Sequence, residues 1–248
     1  MKLTVYFTPL GIKRDGIHDK PVLVLDVLRT TTTIVSALSN GARAVLPAPS
    51  VEEALRIGQN LERDAVLLTG ERNMEKIPGF ALGNSPLEMT RDVVEHKTLV
   101  MATTNGTPAI VTAEPGVPVL IGAVTNFSAA VERARVAFEE HDEIHILCAG
   151  REGAFSLEDA YTAGRFTQAL LPGHSRRSAE LNDGAIAALE LVRRYGDKWK
   201  RAISASTAGH ALKKAGFRAD LVAATEVDTY SVVPQYAERL VKLPNDGG

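Results

Sequence analysis

Asp26 and Arg29 follow the apolar run Val22–Leu25 and stand directly before four threonines, Thr30, Thr31, Thr32 and Thr33. The run reads as a buried strand, and the apolar segment beyond the threonines as a helix. In an open α/β sheet, ligands collect at the carboxyl ends of strands, where a starting helix offers unpaired N–H groups to an anion. An acid placed there can serve a metal, and an arginine with hydroxyls can serve a phosphate. The structural alternative makes Thr30 or Thr31 a helix N-cap and Asp26 a plain strand-end residue.

The pattern recurs along the chain. Gly70, Glu71 and Arg72 follow a predicted strand over 65–69 as a second charged turn. Thr103, Thr104, Asn105, Gly106 and Thr107 follow a strand predicted at 98–102 and precede a helical stretch, repeating the threonine design. A third strand, over 143–147, ends in Cys148, Ala149 and Gly150, with Arg151, Glu152, Glu158 and Asp159 close behind. Between them the loop IPGFALGNSPLE, rich in Gly79, Gly83 and Asn84, either brings bare backbone near a ligand or serves only as a surface connection, and Ser85 and Pro86 with Glu88 start a short helix. Ser156 with Asp159 three residues on also resembles a capping box, which would give Asp159 a purely structural task.

Carboxylates at Asp26 and Glu71, with Asp159 or Asp183 as further candidates, are hard oxygen donors that suit Mg²⁺. Arg29, Arg72 and Arg151 are planar donors that suit oxyanions. Together they fit hydrolysis of a phosphate ester by metal-activated water. A nucleotide site fits less well, because neither GxxxxGK[ST] nor GxGxxG follows a predicted strand. Cys148 lacks the downstream arginine of a cysteine phosphatase loop, and a packing or positioning role is preferred for it. Asp26 lacks the second acid, two residues on, that an aspartyl nucleophile would use, since Leu28 stands there. His18, His96, His141, His145, His174 and His210 form no ligand-like pair.

The elements that must position these groups alternate along the chain. Strands are predicted over 3–7, 22–25, 44–46, 65–69, 98–102, 117–121 and 143–147, the first of them at or near a sheet edge. Helices are predicted over 51–60, capped by Ser50 and Glu53, and from Asn126 or Ser128 to about 140 with Ala130, Ala134 and Ala137 inward. Further helices are predicted over 181–195, 199–205 and 207–214, while Asn40 and Gly41 close the first helix and 244–248 reads as a frayed tail. This order predicts a three-layer α/β/α fold with a largely parallel or mixed central sheet over residues 1–248, as one domain or two closely packed lobes.

With 248 residues, 45% hydrophobic and 23% charged, the chain is ordinary globular material. A formal net charge of −2 speaks against nucleic acid as a partner and leaves a small anionic substrate. No run approaches the roughly 18 apolar residues of a membrane span, and the first ten residues lack the pattern of a secretory signal, so a cytoplasmic protein is expected. The single cysteine excludes an intrachain disulfide and a multi-cysteine zinc site. A homo-oligomer is left open.

Taken in order, DVLRTTTTI, GER, GFALGNSP, TTNGT and CAGREGAFSLED resemble the 2-phosphosulfolactate phosphatase family of coenzyme M biosynthesis. The resemblance implies a Mg²⁺-dependent phosphatase that releases phosphate from 2-phospho-3-sulfolactate, on an α/β/α fold peculiar to the family. It implies catalytic roles for Asp26, Glu71 and Asp159, with Asp26 and Glu71 on the metal. It places Arg29, Thr31, Thr32, Arg72, Asn84, Ser85, Thr104, Asn105, Gly106, Cys148 and Gly150 on the substrate, with Glu158 nearby. A substrate carrying phosphate, sulfonate and carboxylate also requires more than one anion pocket. Thr30 stands where the family pattern has alanine, and Ala81 where it has an acid, which leaves another 2-phospho-hydroxy acid open as substrate; a non-catalytic binder of small sulfonates or phosphates is the alternative from a different class.

Overall fold

The computed structural model describes residues 1–61, 65–171 and 179–244. His174 and the tail 245–248 lie outside them. The apolar run singled out above forms strand β2 (Val22–Leu25), buried at every position. It pairs in parallel with β7 (Val119–Gly122) and β8 (Glu143–Cys148). β8 continues in parallel to β1 (Lys2–Tyr6), and β1 to the two-residue β9 (Glu180–Leu181), so the first strand is next to the edge. A second parallel block comprises β3 (Ala44–Pro47), β6 (Thr98–Ala102) and β4 (Val66–Arg72).

The two blocks are joined by the end of the chain. A hairpin of β10 (Gln235–Ala237) and β11 (Leu240–Lys242) lies between β7 and β3, antiparallel to both, completing a mixed eleven-stranded sheet among the described residues. Three antiparallel junctions in succession reverse the second block relative to the first. The blocks nevertheless share one core. Val24 and Ile121 of one and Val45, Leu99 and Met101 of the other pack with Ile34, Val35 and Leu38 of the helix Thr30–Ser39 and with Ala109 and Ile110 of the helix Gly106–Thr112. The sheet thus curls around these two helices, as the cumulative twist of a many-stranded sheet allows.

Thr30, Thr31, Thr32 and Thr33 are weak helix formers, yet all lie in a helix buried along nearly its whole length. Packing therefore overrides propensity here, at roughly 1.5–3 kcal/mol for each large apolar side chain buried. The outer layer covers the other face of the sheet. Phe138, Ala163, Phe166, Leu170 and Ala185 pack on the β1, β2 and β8 side, and Ala54 packs with Val100 and Ala102 on the β6 side. Helix Phe127–His141 buries Ala130, Ala134 and Ala137, as its period predicts. The result is the expected three-layer α/β/α arrangement.

Two local expectations are corrected. Glu71 and Arg72 are not turn residues but the end of β4, paired antiparallel with β5 (Glu75–Lys76). Ser156 caps the helix Leu157–Leu170 only by position, without a side-chain hydrogen bond, so Ser156 and Asp159 do not form a capping box. No helix among the described residues is long and apolar enough to cross a membrane.

Candidate active site

Asp26 follows β2 and is 7% exposed. Its turn is tied by the threonines behind it. The Thr31 hydroxyl donates to the Asp26 carbonyl at 2.9 Å and accepts the Asp26 amide at 3.1 Å, while Thr32 donates to the Val27 carbonyl at 2.9 Å. Such hydroxyl-to-backbone bonds fix a turn. Thr31 and Thr32 are thereby occupied and buried away from the cavity, and the threonine that lines it is Thr30. Thr30 also meets the second threonine turn, its hydroxyl donating to that of Thr103 at 3.1 Å and receiving the Asn84 amide at 3.4 Å.

Burial pushes the Asp26 carboxyl up to about 7; hydrogen bonding from Thr30 opposes the shift, and the neighbouring Glu71 carboxylate adds to it. The second helix explains why a glycine must stand at 106. A Cβ on Gly106 would lie 2.3 Å from Asp26 Oδ2 and 2.3 Å from the Thr30 hydroxyl. Gly106→Ala is expected to displace the Asp26 carboxylate and to lower any turnover that depends on its position roughly 10- to 100-fold, since small misplacements are costly at a reaction centre. Steady-state kinetics on a variant shown to be folded checks this, and near-wild-type turnover would mean that the Asp26 position is not critical.

Glu71 enters the same cavity from the other block. Its Oε1 accepts the Thr104 amide at 2.8 Å and its Oε2 the Met74 amide at 2.9 Å, so the carboxylate is held rigidly by backbone. Alternation along β4 turns Arg72 the other way, its Nη1 donating to the Glu71 carbonyl at 2.9 Å, and Arg72 does not line the cavity. Asn84 does line it, 3% exposed, with its Oδ1 unpartnered.

Asp159 and Glu158 exchange the expected roles. Asp159 accepts the Val27 amide at 2.9 Å and the Gly150 amide at 3.2 Å, locking its helix to the ends of β2 and β8. Burial, then the charges of Glu158 and Asp26, push its carboxyl well above the usual range. It is a buried tie, and Glu158 is the residue that faces the cavity. Cys148 is likewise fully buried in the outer core, its thiol pushed up by burial, and it does not line the cavity.

Arg29 lines the cavity but is already paired. Its Nη1 lies 2.7 Å from Asp220 Oδ2, its Nη2 donates to the Met74 carbonyl at 3.0 Å, and its guanidinium lies 4.4 Å from the Phe217 ring centre. Ser85 donates to the other oxygen of Asp220 at 2.8 Å and so supports the wall without lining it. Asp220 had no local signal in the sequence, since it follows no strand and opens a short helix. Lys214, also in the lining, was equally silent as the end of an amphipathic helix.

These groups surround a cavity of about 410 Å³, lined also by Thr104, Asn105, Gly150 and Arg151. The Asn105 side chain accepts the Glu152 amide at 2.8 Å, bridging the two blocks across the rim. Asp26, Glu71, Glu152 and Glu158 supply four carboxylates to the lining, against Arg151, Lys214 and the already balanced Arg29. Ala81 is exposed and outside the lining, so the acid of the family pattern would not stand in this cavity. Thr30, the other departure, is part of it.

Fold and cavity together define an α/β protein that gathers carboxylates and basic groups from several strand ends around one small polar cavity. A family model described as 2-phosphosulpholactate phosphatase matches residues 6–239, and the chain belongs to that family. A relative from Caldanaerobacter subterraneus subsp. tengcongensis, named "Probable 2-phosphosulfolactate phosphatase", is 35% identical over 246 residues, covering 99% of this chain and all of its own. A protein of the same name from Clostridium novyi is 43% identical over 188 residues, 76% of this chain and 77% of its own. Another, from Clostridium acetobutylicum, is 35% identical over 236 residues, 95% and 97% of the two chains.

Proposed function

We propose that this protein is a magnesium-dependent phosphatase that hydrolyses 2-phospho-3-sulfolactate to 3-sulfolactate and phosphate, in the cytoplasm and toward coenzyme M. Family membership and the names of its relatives support the substrate. The observation that carries the metal reading is the excess of carboxylates in a cavity meant for a polyanion. Two acids and a phosphate do not share a small space without a cation or protons between them. Asp26 expresses this conflict as a carboxyl pushed up to about 7 by burial and by the nearby Glu71.

The donors present fit magnesium. Among the described residues no three of His, Cys, Asp and Glu gather as a ready cage. Magnesium needs only one or two carboxylates, with waters and the phosphate itself completing its shell. Asp26 and Glu71 would hold it, and the unpartnered Oδ1 of Asn84 adds a neutral oxygen. When bound, the ion neutralises phosphate charge and makes a water nucleophilic near neutral pH. Arg151 and Lys214, the basic groups of the lining besides the paired Arg29, would orient the anion, and the backbone-held Glu71 costs no reorganisation during reaction.

The test is phosphate release from 2-phospho-3-sulfolactate by the purified protein. Release is expected to stop with EDTA and to return with excess Mg²⁺. Stabilisation by the substrate without any release would make the protein a carrier, and release unaffected by EDTA would remove the metal.

A further inference from the structure

A second cleft, of about 160 Å³, adjoins the main cavity and shares Arg151, Glu158 and Ala208 with it. Two helices begin there. The 14-residue helix Leu157–Leu170 presents Ser156 and Leu157, and the eight-residue helix Thr207–Lys214 presents Thr207 and Ala208, its N-cap Ser206 being taken up by the Gly209 amide and the Ile203 carbonyl. First-turn amides have no intrahelical acceptor and carry the positive end of the helix dipole, so two such ends favour an anion between them.

An independent observation points to a missing ligand. Ser156 is 5% exposed, lines this cleft, and its hydroxyl has no hydrogen-bond partner. An N-cap serine ordinarily satisfies its own first turn, but Ser156 does not. A buried hydroxyl without a partner is costly unless something else pairs with it. Arg151 stands at the junction, its nearest carboxylate being the exposed Glu152 at 3.8 Å. Glu158 is the single carboxylate in the lining, and it lines the main cavity as well.

We infer that this cleft holds the sulfonate of the substrate while the phosphate occupies the main cavity beside Asp26. This rests on the phosphatase reading above and adds where the second anion goes. A sulfonate offers three oxygens and stays ionised, which suits several converging N–H and O–H donors without a metal. The phosphate takes the side where carboxylates call for a cation. The exposed Phe155 and the methyl groups of Ala205 and Ala208 flank the cleft and suit the short carbon chain between the two anions.

The experiment compares 2-phospho-3-sulfolactate with 2-phospholactate, which lacks the sulfonate, in Ser156→Ala and Thr207→Asp. An acid at the first position of a helix is compatible with folding, yet it places negative charge in the cleft. The readout is the ratio of kcat/KM for the two substrates, in which general damage to the enzyme cancels. The ratio is expected to fall at least about tenfold in Thr207→Asp and roughly threefold or more in Ser156→Ala, the loss lying in KM. Ratios within twofold of wild type in both variants overturn the assignment. If the wild type hydrolyses neither substrate, the phosphatase reading fails by itself, and thermal stabilisation by 3-sulfolactate then decides the cleft. A shift present in wild type and lost in Thr207→Asp sustains it; equal shifts, or none, overturn it.

Discussion

Asp26→Asn is expected to lower phosphate release by roughly 10³-fold or more and at the same time to stabilise the metal-free protein at alkaline pH. The first effect follows from position. Asp26 directly follows the fully buried strand β2, lines the cavity, and has the neighbouring Glu71 carboxylate among the causes that raise its carboxyl. Wild-type turnover by the variant at saturating Mg²⁺ would remove Asp26 from the reaction.

The second effect follows from its titration. The Asp26 carboxyl is raised from 3.8 to about 7, first by burial, so between those values the native state holds a proton that the unfolded chain has released. Stability from this group is therefore complete below about pH 4 and is lost as pH rises through 7. A shift of about three units corresponds to roughly 4 kcal/mol by pH 8. Asparagine, which does not ionise, avoids that loss. Urea unfolding in EDTA at pH 5 and pH 8 should show the variant gaining on the wild type as pH rises. A gap independent of pH would mean that Asp26 titrates normally. The group that the proposed reaction needs is thus one whose burial costs stability at alkaline pH, a trade common at active sites.

Asp220→Ala is expected to cost about 3–5 kcal/mol of stability, because it leaves a buried guanidinium uncompensated. The Arg29 and Asp220 side chains are 3% and 4% exposed and meet at 2.7 Å. The pair also joins four separate pieces of chain: the turn after β2, the hairpin at Met74, the loop at Ser85 and the short helix bearing Asp220. Domains of this kind have total stabilities of about 5–15 kcal/mol, so such a loss is a large fraction. Asp220→Asn, which keeps an acceptor for Ser85, should cost less. Denaturant midpoints for the two variants check the order, and a loss under about 1 kcal/mol for Asp220→Ala would show that water reaches the pair.

Much of the scaffold was legible locally. Every strand end proposed to carry chemistry is a strand end or its continuation, and Asp26, Glu71, Asn84, Thr104, Asn105 and Gly150 do meet around one cavity. Periodicity, caps and threonine-rich turns are written within a few residues of one another, and backbone hydrogen bonding reads them at that range. Distinguishing Glu158 from Asp159 needed more. Adjacent residues on a helix point about 100° apart, and the rotation is set by which surface the helix packs on.

What the sequence determined by itself was seven of the strands up to Cys148, most of the helices, the chemical types at the strand ends and the family to which they belong; the closing hairpin β10–β11 and the helix Leu157–Leu170 were not among its predictions. Only the tertiary structure decided that the final hairpin would separate two opposed strand blocks, that Arg72 would face out from β4, and that Arg29 would meet Asp220 across 191 residues of chain. The reason is that apolar burial, which assembles the layers, is non-directional. It specifies that faces must be covered without specifying which distant charge arrives beside which, and that choice emerges only when the sheet has curled and the helices have docked.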